Sequence, residues 1–197
     1  MIIGLVNALP TGLTATLFLF FVHDRLQAAA HTGPALVAFF LAAAVAAPLW
    51  ARAARRFGHK RTLLIGMAAS IAAFLWALNL GAGDWLPFYL VAVGSGAAMG
   101  ADMTLLPALL AARLGALRSG GEAAFGLWGF VNKAALALAA GVAMPALALA
   151  GFTPGGVNTV AALTTLSFAY AGLPCLLKAV AMIVLAATPI TEGDRAR

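Results

Sequence analysis

The ten residues Arg52–Arg61, RAARRFGHKR, hold five of the twelve lysines and arginines in this chain of 197 residues. Apolar stretches lie on both sides, Pro34–Trp50 before and Thr62–Leu80 after, and neither contains a Lys, Arg, Asp or Glu. A helix that crosses a bilayer needs about 17–25 mostly apolar residues, which each stretch supplies. Short loops rich in Lys and Arg remain in the cytoplasm. The pattern therefore predicts two membrane helices joined by a cytoplasmic loop at residues 51–61.

The composition of the whole chain also indicates a membrane protein. It is 63% hydrophobic and 9% charged, whereas a soluble domain has about 25% charged residues. The net charge of +6 does not indicate nucleic-acid binding, because the basic residues lie between apolar spans where topology requires them. We expect lipid as the surroundings and no nucleic-acid partner. The single cysteine, Cys175, lies in an apolar run, so no internal disulfide, metal site or cofactor is expected.

Six apolar spans follow one another along the chain. Their content of Ala and Leu, with little alternation of polar and apolar residues, favours helices over barrel strands. The first span begins without Lys or Arg and exceeds the apolar core of a signal peptide, about 7–15 residues, so we expect it to be retained. The predicted fold is an all-α membrane protein, one domain over 1–197, with helices at Ile2–Val22, Pro34–Trp50, Thr62–Leu80, Leu86–Ala112, Ala123–Ala150 and Val160–Ala187.

The distribution of basic residues predicts the orientation of these helices. With both termini inside, nine basic residues face the cytoplasm and only Arg25 faces the other side, which satisfies the positive-inside rule. Five spans contain a proline, and five kinked helices are more typical of a transporter than of a rigid anchor. The nine cytoplasmic basic residues are Arg52, Arg55, Arg56, Lys60, Arg61, Arg113, Arg118, Arg195 and Arg197.

Charges within the spans are the first candidates for function, because each costs about 2.5–3.5 kcal/mol on insertion scales. Lys133 lies near the middle of the fifth span. Gly129 and Ala137 lie four positions away and Gly126 and Ala140 seven positions away, which leaves room on this face for a cavity or a close helix. Its alternative role is structural pairing or snorkelling. Trp128 and Asn132 precede it at i, i+4 spacing, and sugar sites often combine an aromatic ring with an amide.

Three further polar residues are candidates for substrate or ion binding. Asp102, in the fourth span, is expected to pair with Lys133, for ion coupling or for simple neutralisation. Pro107 frees a backbone carbonyl one turn away, which could serve as a further ligand. Lys178, in the sixth span, is as consistent with snorkelling as with function. Asn7 either lines a first helix broken near Pro10 or makes an interhelical hydrogen bond, and we favour the hydrogen bond.

The sequence lacks the residues that a six-helix membrane protease requires. Six helices also suit an intramembrane serine protease, whose nucleophile lies in a Gly-x-Ser-Gly sequence and whose histidine lies in the last span. Ser95 lacks that sequence context, and the sixth span contains no histidine. Without a base there is no activated nucleophile. We therefore expect no enzymatic activity.

An ordered set of short motifs resembles one known family. The chain is similar to the carboxy-terminal half of a glycoside–pentoside–hexuronide:cation symporter, in the melibiose-permease branch of the major facilitator superfamily. The resemblance covers nearly the whole chain in the right order. Its pieces are Pro48–Trp50 with Arg55–Arg61, Gly100–Met103 with Leu106–Pro107, Phe125–Trp128 running into Lys133, Gly151–Gly155, and Leu173–Lys178.

The resemblance implies that Met1–Val22 is the seventh helix of a twelve-helix transporter. It also implies that Lys133 matches a family lysine near the sugar and cation sites. We therefore expect half of a sugar symporter driven by Na⁺ or H⁺, in the bacterial cytoplasmic membrane. A second six-helix half would be its partner, either a separate chain or a second copy. The alternative is a non-transporting remnant or an assembly subunit of a membrane complex.

Overall fold

The computed structural model describes residues 2–117 and 121–188 of the chain. Three of the basic residues assigned to the cytoplasm, Arg118, Arg195 and Arg197, lie outside this part. The α-helices are α1 (Ile2–Phe20), α2 (Thr32–Phe57), α3 (His59–Ala77), α4 (Trp85–Leu117), α5 (Gly121–Leu149), α6 (Val160–Ser167) and α7 (Leu173–Ala187). Two π-helical turns, Phe21–Arg25 and Phe168–Gly172, and a 3₁₀ turn, Ala29–His31, complete the described elements.

These elements form six membrane-spanning segments, because the π turn at Phe168–Gly172 joins α6 and α7 into one span. All six are long and apolar enough to cross a membrane, and the described residues contain no strand. Large apolar side chains such as Leu41, Leu90 and Ile183 are exposed on the outer surface, as a lipid-facing surface requires. The predicted all-α, six-helix fold is confirmed.

The basic segment Arg52–Arg61 differs from the predicted loop. Helix α2 continues through it to Phe57, and only Gly58 separates α2 from α3, which begins at His59. The alanines and arginines of this segment favour helix, so α2 extends past the apolar span. Gly58 has φ 90°, a conformation that glycine adopts without steric cost, and it allows the sharp reversal.

The prolines act differently in the sixth span than elsewhere. Helices α1, α2, α4 and α5 each continue as α-helix past an internal proline. In the sixth span, Pro174 follows the π turn, in which the Leu173 N–H donates to the Phe168 carbonyl. A π turn absorbs an extra residue and is a common site of local distortion in helices.

The packing of the spans has the symmetry of two three-helix repeats. Helix α1 packs on α5 and α7, and α4 packs in the corresponding way on α2 and α3, while α3 and α7 pack on each other. Exchanging the first three spans with the last three leaves this pattern unchanged. Sequence comparison of the two triplets indicates no such repeat. Transporters commonly place their binding sites where such repeats meet, here between α1 and α4.

Glycines allow the close approach of α2 and α4. A Cβ added at Gly100 would lie 2.8 Å from the Ala43 carbonyl oxygen, and one added at Gly96 would overlap the Phe39 carbonyl. Small residues four positions apart let helix backbones approach closely in membranes. These contacts fix α4 against α2 and leave its other side for α1 and the site described below.

Hydrogen bonds tie the helix ends together at both ends of the bundle. At the end that carries Arg52–Arg61, called here the basic end, Lys60 Nζ donates to the carbonyls of Ala186 (2.8 Å) and Thr188 (2.9 Å). This ammonium group caps the carboxyl terminus of α7, where a positive charge is favourable. At the opposite end, Arg25 Nε donates to the Leu80 carbonyl (3.0 Å).

Candidate functional site

An open cavity of about 440 Å³ lies between α1, α4 and α5. We call it the central cavity. It brings together four of the six residues that the sequence singles out: Asn7, Asp102, Trp128 and Asn132. The rest of its lining is mostly apolar, with a few polar groups at defined positions, as in small-molecule sites generally. The other lining residues are Ala8, Thr11, Gly12, Ala15, Met99, Met103, Leu106, Pro107 and Leu136.

Two acceptor oxygens in this lining have no partner. Asn7 Oδ1 and Asp102 Oδ1 are both buried, and neither accepts a hydrogen bond from any described residue. A buried acceptor without a donor costs about 1–3 kcal/mol. Both residues line the central cavity, although the two oxygens themselves have almost no exposed surface. They therefore place two unsatisfied polar groups within the wall of the central cavity.

The structure agrees fully with neither interpretation of Asn7. Helix α1 is continuous from Ile2 to Phe20, so the first helix is not broken near Pro10. The interhelical hydrogen bond that the sequence favoured is also not formed by Asn7 Oδ1. A proline removes one backbone donor, and here the helix tolerates that loss because packing on α5 and α7 holds it. Asn7 instead contributes to the cavity wall.

Trp128 supplies an aromatic wall to the central cavity. Its ring packs so closely on α1 that a Cβ added at Gly4 would overlap it. The ring is therefore held in place against the helix that carries Asn7. One turn later, Asn132 Nδ2 donates to the Trp128 carbonyl at 2.8 Å, which orients the amide. An aromatic face beside an amide is the combination that the sequence predicted.

Asp102 forms an ion pair with Lys178, through Asp102 Oδ2 and Lys178 Nζ. The expected pair between Asp102 and Lys133 is therefore wrong. Lys178 lies on α7 and its side chain is only 6% exposed, so it does not snorkel to the membrane surface. Which lysine reaches Asp102 depends on how the helices rotate and pack, and this packing turns Lys178 inward.

A second, smaller cavity of about 40 Å³ adjoins the ion pair. We call it the small cavity. Asp102 and Lys178 both line it, together with the hydroxyl groups of Thr11, Thr14, Ser70 and Ser95. Sequence analysis did not identify these hydroxyl residues. Only Thr11 carried a usable signal, because it follows Asn7 at i, i+4 and so shares its helix face.

A third cavity, of about 340 Å³, lies next to the central cavity along α1. We call it the aromatic cavity, because six aromatic residues line it. It shares Thr11, Ala15 and Met99 with the central cavity. Its aromatic residues come from α1, α2, α3, α4 and the π turn at Phe168–Gly172. One of them, Tyr170, stacks on Phe21 at a centroid distance of 4.2 Å. The two larger cavities therefore follow one another along α1. The aromatic lining residues are Phe18, Phe39, Phe40, Phe74, Phe88 and Tyr170.

Lys133 is the one predicted site residue that lines neither the central nor the small cavity. It is exposed on the surface of α5. Added Cβ atoms at Gly126 and Gly129, on the same face, would meet nothing within 4 Å. The small-residue face expected around Lys133 is thus present, and it is open.

The described residues hold no group of three or more His, Cys, Asp and Glu side chains arranged to bind a metal ion. One histidine makes a specific aromatic contact. His31 stacks on Trp85 with a centroid distance of 4.3 Å and an interplanar angle of 4°. Stacking of this kind is worth about 0.5–1.5 kcal/mol beyond burial, so His31 helps to hold α2 and α4 together at the end opposite the basic end.

Comparison with known proteins agrees with the six membrane-spanning segments. The chain matches the family described as MFS/sugar transport protein over residues 1–192. A search of curated proteins gave no match. The match covers nearly all of the chain, and the six apolar helices make it a multi-pass membrane protein. The chain belongs to the MFS/sugar transport protein family, a family of sugar transporters in the major facilitator superfamily.

Proposed function

We propose that the chain is one six-helix half of a sugar:cation symporter and that the central cavity is its part of the sugar site. The observation that carries this proposal is a single cavity that is lined by the polar residues Asn7 and Asp102 together with Trp128. Sugar hydroxyls are hydrogen-bond donors, and the C–H face of a pyranose packs on an aromatic ring. The cavity thus offers both kinds of contact that a sugar requires.

The arrangement of cavities supports a transport role over simple binding. The central cavity and the aromatic cavity share a wall at Thr11, Ala15 and Met99 and so follow one another along a membrane-spanning helix. A solute that moves from one to the other travels across the membrane. Both lie between α1 and α4, the corresponding helices of the two repeats, where rocking motions open and close a site.

The open side of the site supports a partner for this chain. Lys133 is exposed near the middle of a span, and charged side chains at such positions face a water-filled cavity or another protein rather than lipid. Gly126 and Gly129 leave space on the same face. A second six-helix half, from a separate chain or a second copy, would cover this face and close the sugar site.

The remaining features of the proposal follow from charge. The basic residues of the α2–α3 junction support an orientation with both termini in the cytoplasm, in the cytoplasmic membrane of a bacterium. A buried carboxylate in the wall of the cavity supports coupling to Na⁺ or H⁺. The alternative function is that of a non-transporting remnant or an assembly subunit, which would bind no sugar.

Binding of radiolabelled pyranosides tests the proposal. The probes are methyl glucoside, methyl galactoside, xylose and glucuronate, added to membrane vesicles that contain the chain with its second half, whether a separate chain or a second copy. We expect one class to bind and Trp128→Ala to weaken that binding about tenfold or more, which corresponds to about 1.4 kcal/mol. Asn7→Ala should weaken it as well, because a sugar hydroxyl loses its acceptor.

Trp76→Ala is the matched control for the tryptophan variant. Trp76 is 60% exposed on the outer surface of α3 and lines none of the three cavities. Its removal should leave sugar affinity unchanged. Absence of binding by every probe, or equal losses for Trp128→Ala and Trp76→Ala, would favour the non-transporting alternative.

A further inference from the structure

We propose that the carboxylate of Asp102 is the binding site for the coupling cation, and that Lys178 is an internal cation that occupies this site between transport cycles. The inference rests on the proposed transport function and assigns a location to the coupling step. The ligand is a small monovalent cation, H⁺ or Na⁺. Each can neutralise a carboxylate in place of an ammonium group.

The two oxygens of Asp102 have different surroundings. Oδ2 contacts Lys178 Nζ, whereas Oδ1 is buried and accepts no hydrogen bond from any described residue. The side chain lines both the central cavity and the small cavity. The Asp102 side chain therefore lies between the proposed sugar site and Lys178. When a cation binds to one oxygen of the carboxylate, the negative charge on the other oxygen decreases.

The surroundings of the pair contain little other charge. Among the described residues that line the two cavities, the titratable side chains besides Asp102 are Lys178 and Cys175, both on α7. The lining residues from α1, α2, α3 and α5 are uncharged. In a medium of low effective dielectric, the carboxylate must be neutralised by a cation close to it. Either Lys178 or a bound cation can meet that requirement.

The small cavity contains hydrogen-bond acceptors for the Lys178 ammonium group when it leaves the carboxylate. Thr14 and Ser95 line this cavity, and their hydroxyls donate to carbonyls of their own helices, at 3.2 Å to Pro10 and 3.3 Å to Ala92. Their oxygen lone pairs therefore remain available as acceptors. In the exchange, the entering H⁺ or Na⁺ binds a carboxylate oxygen, and Lys178 keeps its proton and charge. The ammonium moves to these hydroxyl oxygens and to water in the cavity.

Exchange of the two cations would couple transport to helix packing. Helix α4 carries Asp102, and α7 packs on α1 and α3. The ion pair joins α4 to α7, a helix that packs on α1 and α3 of the other repeat, when Lys178 occupies the carboxylate, and this link is released when an external cation replaces it. A cation that binds only one arrangement of the repeats shifts the population toward that arrangement.

Infrared spectroscopy of the chain without sugar tests this assignment. The sequence has only six Asp and Glu residues, so a single carboxyl can be resolved by difference spectra. The chain is placed in lipid nanodiscs and either acidified at constant salt or given NaCl in place of choline chloride at constant pH. If H⁺ is the cation, acidification produces a protonated-carboxyl band that is lost in Asp102→Asn. If Na⁺ is the cation, NaCl shifts a carboxylate band, and the shift is lost in the same variant.

Two further variants make each outcome informative. Glu122→Gln changes an exposed carboxyl at the start of α5 and should leave the Asp102 signal intact. Asp102→Asn/Lys178→Met removes both charges and serves in place of the single variant if that one does not fold. The inference is overturned if neither cation gives a signal that depends on Asp102. Because no sugar is present, such a result would leave the sugar-binding test of the proposed function unaffected.

Discussion

Asp102 on α4 and Lys178 on α7 form an ion pair inside the bundle, with side chains that are 11% and 6% exposed. Both residues lie in the second triplet of helices, yet α7 packs mainly on α1 and α3 of the first triplet. The pair therefore links α4 to a helix that is otherwise held by the first triplet.

The first prediction concerns the stability that this pair supplies. Lys178→Met leaves a buried carboxylate without a counter-charge, and breaking a buried pair on one side costs about 3–5 kcal/mol. Asp102→Asn/Lys178→Met removes both charges, and we expect it to recover most of that loss. Unfolding of the purified chain in detergent, followed by circular dichroism, measures both variants. Equal destabilisation by the single and the double variant would show that packing, not charge, dominates at Lys178.

The second prediction uses two glycines as a matched pair. Gly96→Ala places a Cβ against the Phe39 carbonyl at the contact of α2 with α4. Overpacking of this kind costs about 1–3 kcal/mol. Gly126→Ala meets nothing within 4 Å and should be neutral or stabilising, because alanine is the better helix former by about 1 kcal/mol. Melting temperatures of the two variants in the same detergent make the comparison. A Gly126→Ala variant as unstable as Gly96→Ala would argue against the packing described for α2 and α4.

Sequence analysis predicted the spans because hydropathy and length depend only on local composition. It placed the end of α2 too early, at Trp50, because the residue at which a chain leaves the apolar layer need not be the residue at which its helix ends. The charges of Arg52, Arg55 and Arg56 mark where the chain leaves the apolar layer, but alanine and arginine continue the helix to Phe57. Only Gly58 ends it. Helix propensity across residues 51–57 was the signal that could have corrected the boundary.

The candidate site was predicted in its residue types and not in its pairing. A charge within a span is costly wherever it lies, so Asp102, Lys133 and Lys178 could all be selected from the sequence. The partner of Asp102 depends on the rotation of α5 and α7, which local sequence does not determine. The hydroxyls of Ser70 and Ser95 were missed for the same reason, since each becomes informative only beside the ion pair.

The third prediction tests the orientation of the chain. Cys175 is the one cysteine in the sequence and is buried, so Cys175→Ala gives a background for labelling. Single cysteines at Ala82 and Val157 lie in exposed turns at the end opposite the basic end, and an impermeant maleimide should label both from outside the cell. A cysteine at Ala53, in the basic segment, should react only after the membrane is opened. Labelling of Ala53 from outside would reverse the proposed orientation.

The last prediction separates the two roles open to Lys133. The side chain is exposed on α5, so Lys133→Met should change the stability of the chain alone by no more than about 0.5 kcal/mol. Leu147→Ala is the packing control in the same helix, because Leu147 is 1% exposed and such a truncation costs about 2–5 kcal/mol. If the open face of α5 borders the transport path in the complete assembly, Lys133→Met should also lose sugar uptake or its ion dependence at normal expression. Normal uptake kinetics with normal ion dependence would mean that Lys133 only extends to the membrane surface.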